Sequence, residues 1–184
     1  MKVIAGELKG RRLVLPRGRV TRPTADQVRI ACLDTLMPYL PDGPFLDLFA
    51  GAGGVGIEAL SRGAPTAVFV EDDAHALRAL RENLEALALT GRGRVMRGDA
   101  ARALDALSGD GARFAVVFLD PPYDSPRTGP TLARLAAGDC LMPGAVVVAQ
   151  HRTKTPPALP ADALAPWKTR RFGETTLTFL RGPA

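Results

Sequence analysis

Apolar residues recur along this chain with two different periods, and the two alternate from residue 45 onward. Short apolar runs typical of β-strands cover residues 45–50, 67–71, 94–97, 114–119 and 145–149. Between and after them, stretches with helical spacing of apolar residues cover residues 55–62, 74–89, 100–107 and 128–137. Strands and helices that alternate at these lengths predict a doubly wound, Rossmann-like α/β fold with a mostly parallel sheet and helices on both faces.

The carboxyl-terminal part of the pattern differs. Two further strand candidates, residues 167–172 and 175–180, are separated only by Gly173 and Glu174. Because two residues cannot form a crossover helix, these strands should form a hairpin with an antiparallel strand in the sheet. The pattern therefore predicts a mostly parallel sheet of seven strands that ends in an antiparallel hairpin.

The amino-terminal part predicts a second, smaller hairpin. Residues 3–5 and 12–15 are apolar runs joined through Gly6 and Gly10, with cations at the exposed positions. A helix should follow over about residues 24–37, ended by prolines.

Length and composition favour one domain over residues 1–184. Its 46% hydrophobic content supports a core that buries roughly 70% of the surface of the unfolded chain. We expect residues 1–23 to be a basic hairpin appendage and residues 24–184 to be the catalytic core. No segment has the length of a secretion signal or a membrane span, so we expect a cytoplasmic protein. Two isolated cysteines, Cys32 and Cys140, and two histidines give no basis for a metal site.

Positive charge is concentrated at the two ends of the chain. Residues 1–29 contain eight Lys or Arg against two acids, and residues 151–184 contain six against two. Residues 30–150 have a net charge of −5. An acidic body with basic ends suggests a polyanion as partner, although surface arginines without a partner would give a similar count. The candidate RNA-binding residues are Lys9, Arg11, Arg12, Arg17, Arg19 and Arg22.

The first predicted strand runs directly into a glycine-rich turn, residues 51–56, of the form G-x-G-x-x-G. Such turns let backbone N–H groups approach a small molecule closely, and a nicotinamide dinucleotide is one possible occupant. Asp47 argues against a pyrophosphate here, and the chain has no room for a substrate domain. A cofactor with a positive amino group is favoured.

Further acids follow the next two strands. Glu71 ends the second strand, where an acid accepts hydrogen bonds from ribose hydroxyls. Asp99 follows the third strand and could accept an adenine N–H. An adenosine with a cationic amino acid tail, S-adenosylmethionine, satisfies all three acids, with S-adenosylhomocysteine as its product. The candidate cofactor-binding residues are Asp47, Phe49, Gly51, Gly53, Glu71, Asp72, Asp99 and Ala100.

The fourth strand ends in Asp120-Pro121-Pro122-Tyr123, which forms the candidate catalytic group. An exocyclic amine is a poor nucleophile because its lone pair is delocalised into the ring, so two acceptors must hold its N–H groups. The Asp120 carboxylate and the Pro121 carbonyl can do so, with Pro122 stiffening the loop. Tyr123 can stack on the base.

These motifs together resemble the class I methyltransferases that modify exocyclic amines. More narrowly, the chain resembles the bacterial 16S ribosomal RNA guanine-N2 methyltransferases of the small subunit, through segments at residues 4–6, 10–11, 22–29, 58–64 and 172–175. The resemblance implies methylation of a guanine N2 in 16S ribosomal RNA, free or in a small-subunit assembly intermediate, without a metal or a membrane. It leaves the oligomeric state open, with a monomer favoured.

Other functions remain open at this point. Asp-Pro-Pro-Tyr also occurs in DNA adenine-N6 enzymes, and a protein glutamine is another possible substrate. A nicotinamide oxidoreductase and a non-catalytic RNA-binding module are more distant alternatives.

Overall fold

The computed structural model describes residues 1–16, 23–122, 126–160 and 162–183. Within these ranges the α-helices are α1 (Pro23–Leu36), α2 (Gly54–Ser61), α3 (Ala74–Ala86), α4 (Ala100–Gly109) and α5 (Thr128–Ala137), and a 3₁₀ helix (Met37–Asp42) follows α1. The strands are β1 (Phe45–Leu48), β2 (Ala67–Glu71), β3 (Gly93–Arg97), β4 (Phe114–Leu119), β5 (Leu141–Arg152), β6 (Ala165–Phe172) and β7 (Thr175–Arg181).

The strands form one sheet, which has seven strands in the described part of the chain, in the order β3-β2-β1-β4-β5-β7-β6. Strands β1 to β5 pair in parallel, whereas β7 is antiparallel to β5 and β6 is antiparallel to β7. The predicted mostly parallel sheet with a carboxyl-terminal antiparallel hairpin is therefore confirmed. The strand order reverses between β1 and β4, which is where doubly wound sheets bind ligands.

Five strands differ in length from the sequence prediction, namely β1, β3, β5, β6 and β7, and the differences in β1 and β5 have identifiable backbone causes. Strand β1 ends at Leu48 because Phe49 adopts a left-handed backbone with φ of 69°. Strand β5 begins at Leu141, before Pro143 and Gly144, which the apolar pattern left outside the strand. The register between β4 and β5 shifts near its start, and this irregularity accommodates them.

Helices cover both faces of the sheet, and each face has its own apolar core. On one face, leucines of α1, α2 and α3 pack against Phe45, Phe69 and Phe118. On the other, leucines of α4 and α5 pack against Leu46 and Val117. Alternate residues of the strands face opposite sides, so these continuous apolar runs serve both cores.

The amino-terminal hairpin forms a single bridge, between Lys2 and Arg12, and not two full strands. The Val3 N–H donates to the Arg11 carbonyl, and the Val3 carbonyl accepts from Gly10. Val3 and Leu13 are buried in the core of the α1–α3 face. The segment is thus packed against the body of the protein, while Lys9, Arg11 and Arg12 are exposed.

A buried carboxylate on α2 fixes this segment in place. The Glu58 oxygens accept the backbone N–H groups of Ile4 and Ala5, each at 2.8 Å. Arg62, which directly follows α2, donates to the same carboxylate at 3.0 Å. Because the Glu58 side chain is fully buried, these donors offset the cost of removing its charge from water.

None of the helices in the described residues has the length and apolarity needed to cross a bilayer.

Candidate active site

A cleft of about 1190 Å³ opens at the carboxyl ends of β1, β2 and β4, at the point where the strand order reverses. Eight of the predicted site residues line it: Asp47, Phe49, Gly51, Glu71, Asp72, Asp120, Pro121 and Pro122. Their strands are neighbours in the sheet, which explains why residues 73 positions apart meet at one edge. Tyr123 lies outside the described residues.

The glycine turn between β1 and α2 has two kinds of glycine. A Cβ on Gly51 would have no atom of the described residues within 4 Å, so this position leaves open space at the cleft wall. A Cβ on Gly53 would lie 2.5 Å from a methyl group of Leu80, and one on Gly56 would lie 2.4 Å from the Phe69 ring. Gly53 and Gly56 therefore let α2 pack closely on α3 and on the sheet, whereas Gly51 faces the cleft.

Asp47 is buried beneath the start of α2. Its Oδ2 accepts the N–H of Gly56 at 2.9 Å. Burial raises the pKa of Asp47 to about 8, the Gly56 hydrogen bond lowers it, and the negative charges of Asp120 and Glu71 raise it further. A cation bound in the cleft would favour the charged form of the Asp47 carboxylate and so lower its pKa.

Glu71 is held by backbone N–H groups from two loops. Its Oε2 accepts from Gly51 at 2.7 Å, and its Oε1 accepts from Asp72 and Asp73 at 2.9 and 2.8 Å. The carboxylate thus joins the glycine turn to the loop after β2. Oε2, which accepts only one of these N–H groups, has a further lone pair with which it can accept a ligand hydroxyl.

Asp72, the next residue, forms an ion pair with Arg127 at 3.2 Å. Both residues line the cleft, so the pair connects the loop after β2 with the segment before α5. Arg127 was not among the predicted site residues. A charge on a loop gives no local signal of a partner 55 residues away.

Asp99 is the N-cap of α4. Its Oδ1 accepts the N–H groups of Ala101 and Arg102 at 2.9 and 3.4 Å. Ala100 is buried in the core of the opposite face, and neither residue is among those that line the cleft. Their contact with adenine remains a prediction.

Asp120 follows β4 directly, and its backbone N–H donates to the Leu48 carbonyl at 3.4 Å. Burial raises the pKa of Asp120 to about 7. Because no donor among the described residues pairs with its carboxylate, that carboxylate can accept a hydrogen bond from a ligand. Pro121 is buried and Pro122 is exposed, and both also line a neighbouring cavity of about 450 Å³.

A buried asparagine, which the sequence analysis did not select, supports the glycine turn. The Asn83 side-chain amide donates to the carbonyls of Ala52 and Val14, both at 3.0 Å, and its oxygen accepts from the Val14 N–H at 2.7 Å. Leu15 and Pro16, which follow Val14, line the cleft. One polar residue on the apolar face of α3 was the signal that could have revealed it.

The candidate RNA-binding residues divide into two groups. Lys9, Arg11 and Arg12 are exposed on the amino-terminal segment, and Arg11 also donates to the Ala86 carbonyl at the end of α3. Arg17, Arg19 and Arg22 lie outside the described residues.

Comparison with known proteins identifies the family. The family described as "Conserved hypothetical protein 95" matches residues 1–181. The chain belongs to that family. Ribosomal RNA small subunit methyltransferase D of Haemophilus influenzae is 31% identical to it over 88% of this chain and 84% of that protein. The Bacillus subtilis protein YlbH is 42% identical over 82% of each chain.

Solved structures of similar proteins share the fold of this chain. The structure of yhhF from Escherichia coli is 30% identical and superposes with a TM-score of 0.87 over 100% of this chain and 98% of that one. An RNA methyltransferase from Salinibacter ruber, in complex with S-adenosyl-L-homocysteine, has a TM-score of 0.63 and 21% identity over 89% of this chain and 94% of that one. This second likeness concerns the fold alone. The resemblance to bacterial methyltransferases of small-subunit ribosomal RNA is confirmed.

Proposed function

We propose that this protein transfers a methyl group from S-adenosylmethionine to the exocyclic N2 amine of a guanine in 16S ribosomal RNA. One observation supports this most strongly. Asp120, Pro121 and Pro122 line the same cleft as the buried Asp47 and the glycine turn, at the reversal of the strand order. An acceptor loop for an amine thus lies beside a site suited to a cationic cofactor.

The cofactor fits the charge of the cleft. Asp47, Glu71 and Asp120 line it, and the negative charges of Asp120 and Glu71 raise the pKa of Asp47, so a ligand with positive charge is favoured there. S-adenosylmethionine has two cations, a sulfonium and an α-ammonium, and when bound it supplies an electrophilic methyl group. The Salinibacter ruber enzyme, which has the same fold, binds the corresponding product.

Each cofactor-binding residue has a proposed role. Asp47 accepts a hydrogen bond from the α-ammonium, Glu71 from the ribose hydroxyls, and Asp99 from the adenine amine. Gly51 leaves space for the ligand beside the glycine turn, and Gly53 allows the close packing of α2 on α3 that positions this turn. Phe49 and Asp72 form parts of the cleft wall, and Ala100, which does not line the cleft, is proposed to contact the adenine beside Asp99.

The target amine is held by the loop after β4. The Asp120 carboxylate accepts one N–H and the Pro121 carbonyl accepts the other, which directs the nitrogen lone pair at the methyl carbon. The N–C bond forms as the C–S bond breaks, and the electron pair of that bond stays on sulfur. Asp120 takes the proton that the amine loses, and Tyr123 stacks on the ring. A pKa of about 7 suits a group that accepts and releases a proton near neutral pH.

The basic residues bind the RNA backbone. Lys9, Arg11, Arg12, Arg17, Arg19 and Arg22 contact phosphates and so add affinity without reading the sequence. The target guanine must leave its stack to reach Asp120. We propose that residues 1–23 and the catalytic core, residues 24–184, act as one domain on 16S ribosomal RNA or a small-subunit assembly intermediate in the cytoplasm.

The test is incubation with methyl-labelled S-adenosylmethionine and four separate substrates: 16S ribosomal RNA, small-subunit assembly intermediates, DNA and a protein extract. Nucleoside mass analysis should find N2-methylguanosine in one or both RNA samples. Label in N6-methyladenine of DNA would overturn the choice of base and nucleic acid, and label in glutamine would overturn RNA as the substrate.

A further inference from the structure

Arg29 on α1 is a buried cation with an incomplete set of partners. Its exposed fraction is 5%, which few arginines in folded proteins reach. Its Nη2 donates to the Lys2 carbonyl at 2.8 Å and lies 3.1 Å from the Asp26 carboxylate. These contacts satisfy one of the three nitrogens of the guanidinium.

The other two nitrogens, Nε and Nη1, are buried without a hydrogen-bond partner among the described residues. Leaving buried donors of a charged group unpaired is costly, so such atoms in a folded protein call for an explanation. Burial also lowers the pKa of Arg29 from its ordinary value. A bound ligand that supplies an acceptor to these two nitrogens would offset the cost of leaving them unpaired.

The position of Arg29 indicates where that acceptor would lie. Arg29 lines the cleft, and its Nη1 lies 3.3 Å from the place that a Cβ on Gly54 would occupy. Gly54 is the first residue of α2, and no side chain of the described residues caps this helix start. A guanidinium and the positive end of a helix dipole thus meet at one wall of the cleft, a combination that favours an anion.

The neighbouring charges restrict which anion can bind. Asp26 lies beside the guanidinium, and Asp47 accepts from Gly56 two residues further along the same helix. A phosphate dianion would be repelled by both carboxylates. An α-amino acid group suits the arrangement because its carboxylate and its ammonium are two bonds apart and of opposite charge.

We infer that Arg29 binds the α-carboxylate of the cofactor's amino acid tail, while Asp47 binds its ammonium. This inference rests on the proposed cofactor. Two segments would then recognise the zwitterion: α1 through Arg29 and β1 through Asp47. Helix α1 precedes the glycine turn and is not part of it.

The test compares two ligands by calorimetric titration: S-adenosylhomocysteine and its decarboxylated analogue, which keeps the thioether and the amine. The wild-type protein should bind the analogue roughly 10- to 100-fold more weakly, as expected for a charge-assisted hydrogen bond. Arg29→Met should bind the two ligands with similar affinity. Arg170→Met is the matched control, since Arg170 also contacts α1, at the Ala31 carbonyl, but does not line the cleft. It should keep the wild-type preference.

The outcomes separate the inference from the proposed function. If the wild-type protein binds neither ligand, the proposed cofactor is wrong and the inference falls with it. If S-adenosylhomocysteine binds but Arg29→Met keeps the wild-type preference, or the wild type shows none, the inference alone is overturned. Loss of RNA affinity in Arg29→Met without a change for S-adenosylhomocysteine would assign the anion to an RNA phosphate instead. Should Arg29→Met not fold, Arg29→Gln decides the same comparison, because the amide can still donate to the Lys2 carbonyl without the charge.

Discussion

Two acids in the cleft, the buried Asp47 and the partly buried Asp120, have pKa values raised by burial to about 8 and about 7. In the ligand-free protein each is therefore partly protonated near neutral pH. The two groups interact, so titration will report apparent values that belong to the pair. A cationic cofactor should release protons on binding because it favours both carboxylates in their charged forms.

Replacing Asp120 with alanine should abolish methyl transfer and change cofactor affinity by only a few-fold. The carboxylate is proposed to hold the amine and take its proton, whereas the cofactor is held mainly by other residues. Single-turnover rates with saturating RNA, together with binding of S-adenosylhomocysteine, measure the two effects. Asp42→Ala, at an exposed carboxylate of the 3₁₀ helix, is the control and should retain the wild-type rate. Transfer at the wild-type rate by Asp120→Ala would refute the mechanism.

Replacing Asp47 with asparagine should flatten the pH dependence of stability. The folded-state pKa of about 8 lies above the usual value of 3.8, so between these values the folded state holds a proton that the unfolded state has lost. The free energy of unfolding of the wild type should consequently fall as pH rises from about 4 to 8, by on the order of 1 kcal/mol per pH unit from this group. Denaturant unfolding of ligand-free protein at several pH values measures it. An equal slope in both proteins would show that Asp47 has an ordinary pKa.

At the scale of elements, α2 supports two parts of the molecule at once. Its first turn forms a wall of the cleft, and Gly56 donates to Asp47. Its last turns hold the amino-terminal segment through Glu58 and through Ser61, whose hydroxyl donates to the Ala5 carbonyl at 2.6 Å. The cleft and the basic segment are therefore linked through one short helix.

Two glycines of the amino-terminal segment give a matched test of this link. Gly6 and Gly10 both have left-handed backbones, with φ of 83° and 85°. A Cβ on Gly6 would lie 1.8 Å from the Ser61 carbonyl oxygen, whereas one on Gly10 would have no described atom within 4 Å. Gly10→Ala should cost about 1–2 kcal/mol, the ordinary strain of that backbone, and Gly6→Ala should cost at least about 2 kcal/mol more. Chemical denaturation of both variants measures the difference. Equal losses would mean that the segment does not need its close contact with α2.

At the scale of the whole molecule, charge is separated along the chain. The amino- and carboxyl-terminal parts are basic, and the middle, which supplies most of the acids of the cleft, is acidic. Such a separation attracts a polyanion to the basic ends and leaves the acidic cleft to a cation.

Charge reversal at Lys9 and Arg12 should weaken RNA binding and reduce its salt dependence. Each lost phosphate contact lowers the slope of log K against log salt by about 0.7 to 0.9. Titrations of RNA binding at several salt concentrations measure both effects. The affinity for the cofactor should not change. Arg113→Glu is the control, because this exposed cation lies at the amino end of β4, away from the cleft. Equal slopes for the wild type and the double variant would show that these cations do not contact phosphate.

The fold could be predicted from the sequence largely because buried parallel strands are continuous apolar runs. Strands β2 and β4 have the predicted bounds, and so does α5. The end of β1 and the start of β5 could not be predicted. Both depend on backbone conformations, at Phe49 and Gly144, that the surrounding chain imposes.

The candidate site was only partly predictable for a related reason. The acids at strand ends were found because a polar residue after an apolar run is a local signal. Asp99 shows the limit of that signal, since an acid before a helix is equally typical of an N-cap, the role that it has in the structure. Arg127 and Asn83 were not predicted because their hydrogen-bond partners are distant in sequence.

The sequence by itself determined the order of strands and helices, the glycine turn and the acids at the carboxyl ends of the strands. These follow from the spacing of apolar residues, which is a local property. Only the tertiary structure decided which polar groups are paired and which are not. It buried Asp47 beneath α2, joined residues 4 and 5 to Glu58 by hydrogen bonds, and left two nitrogens of Arg29 without a partner among the described residues. Burial and pairing arise where distant segments meet, and no local pattern contains that information.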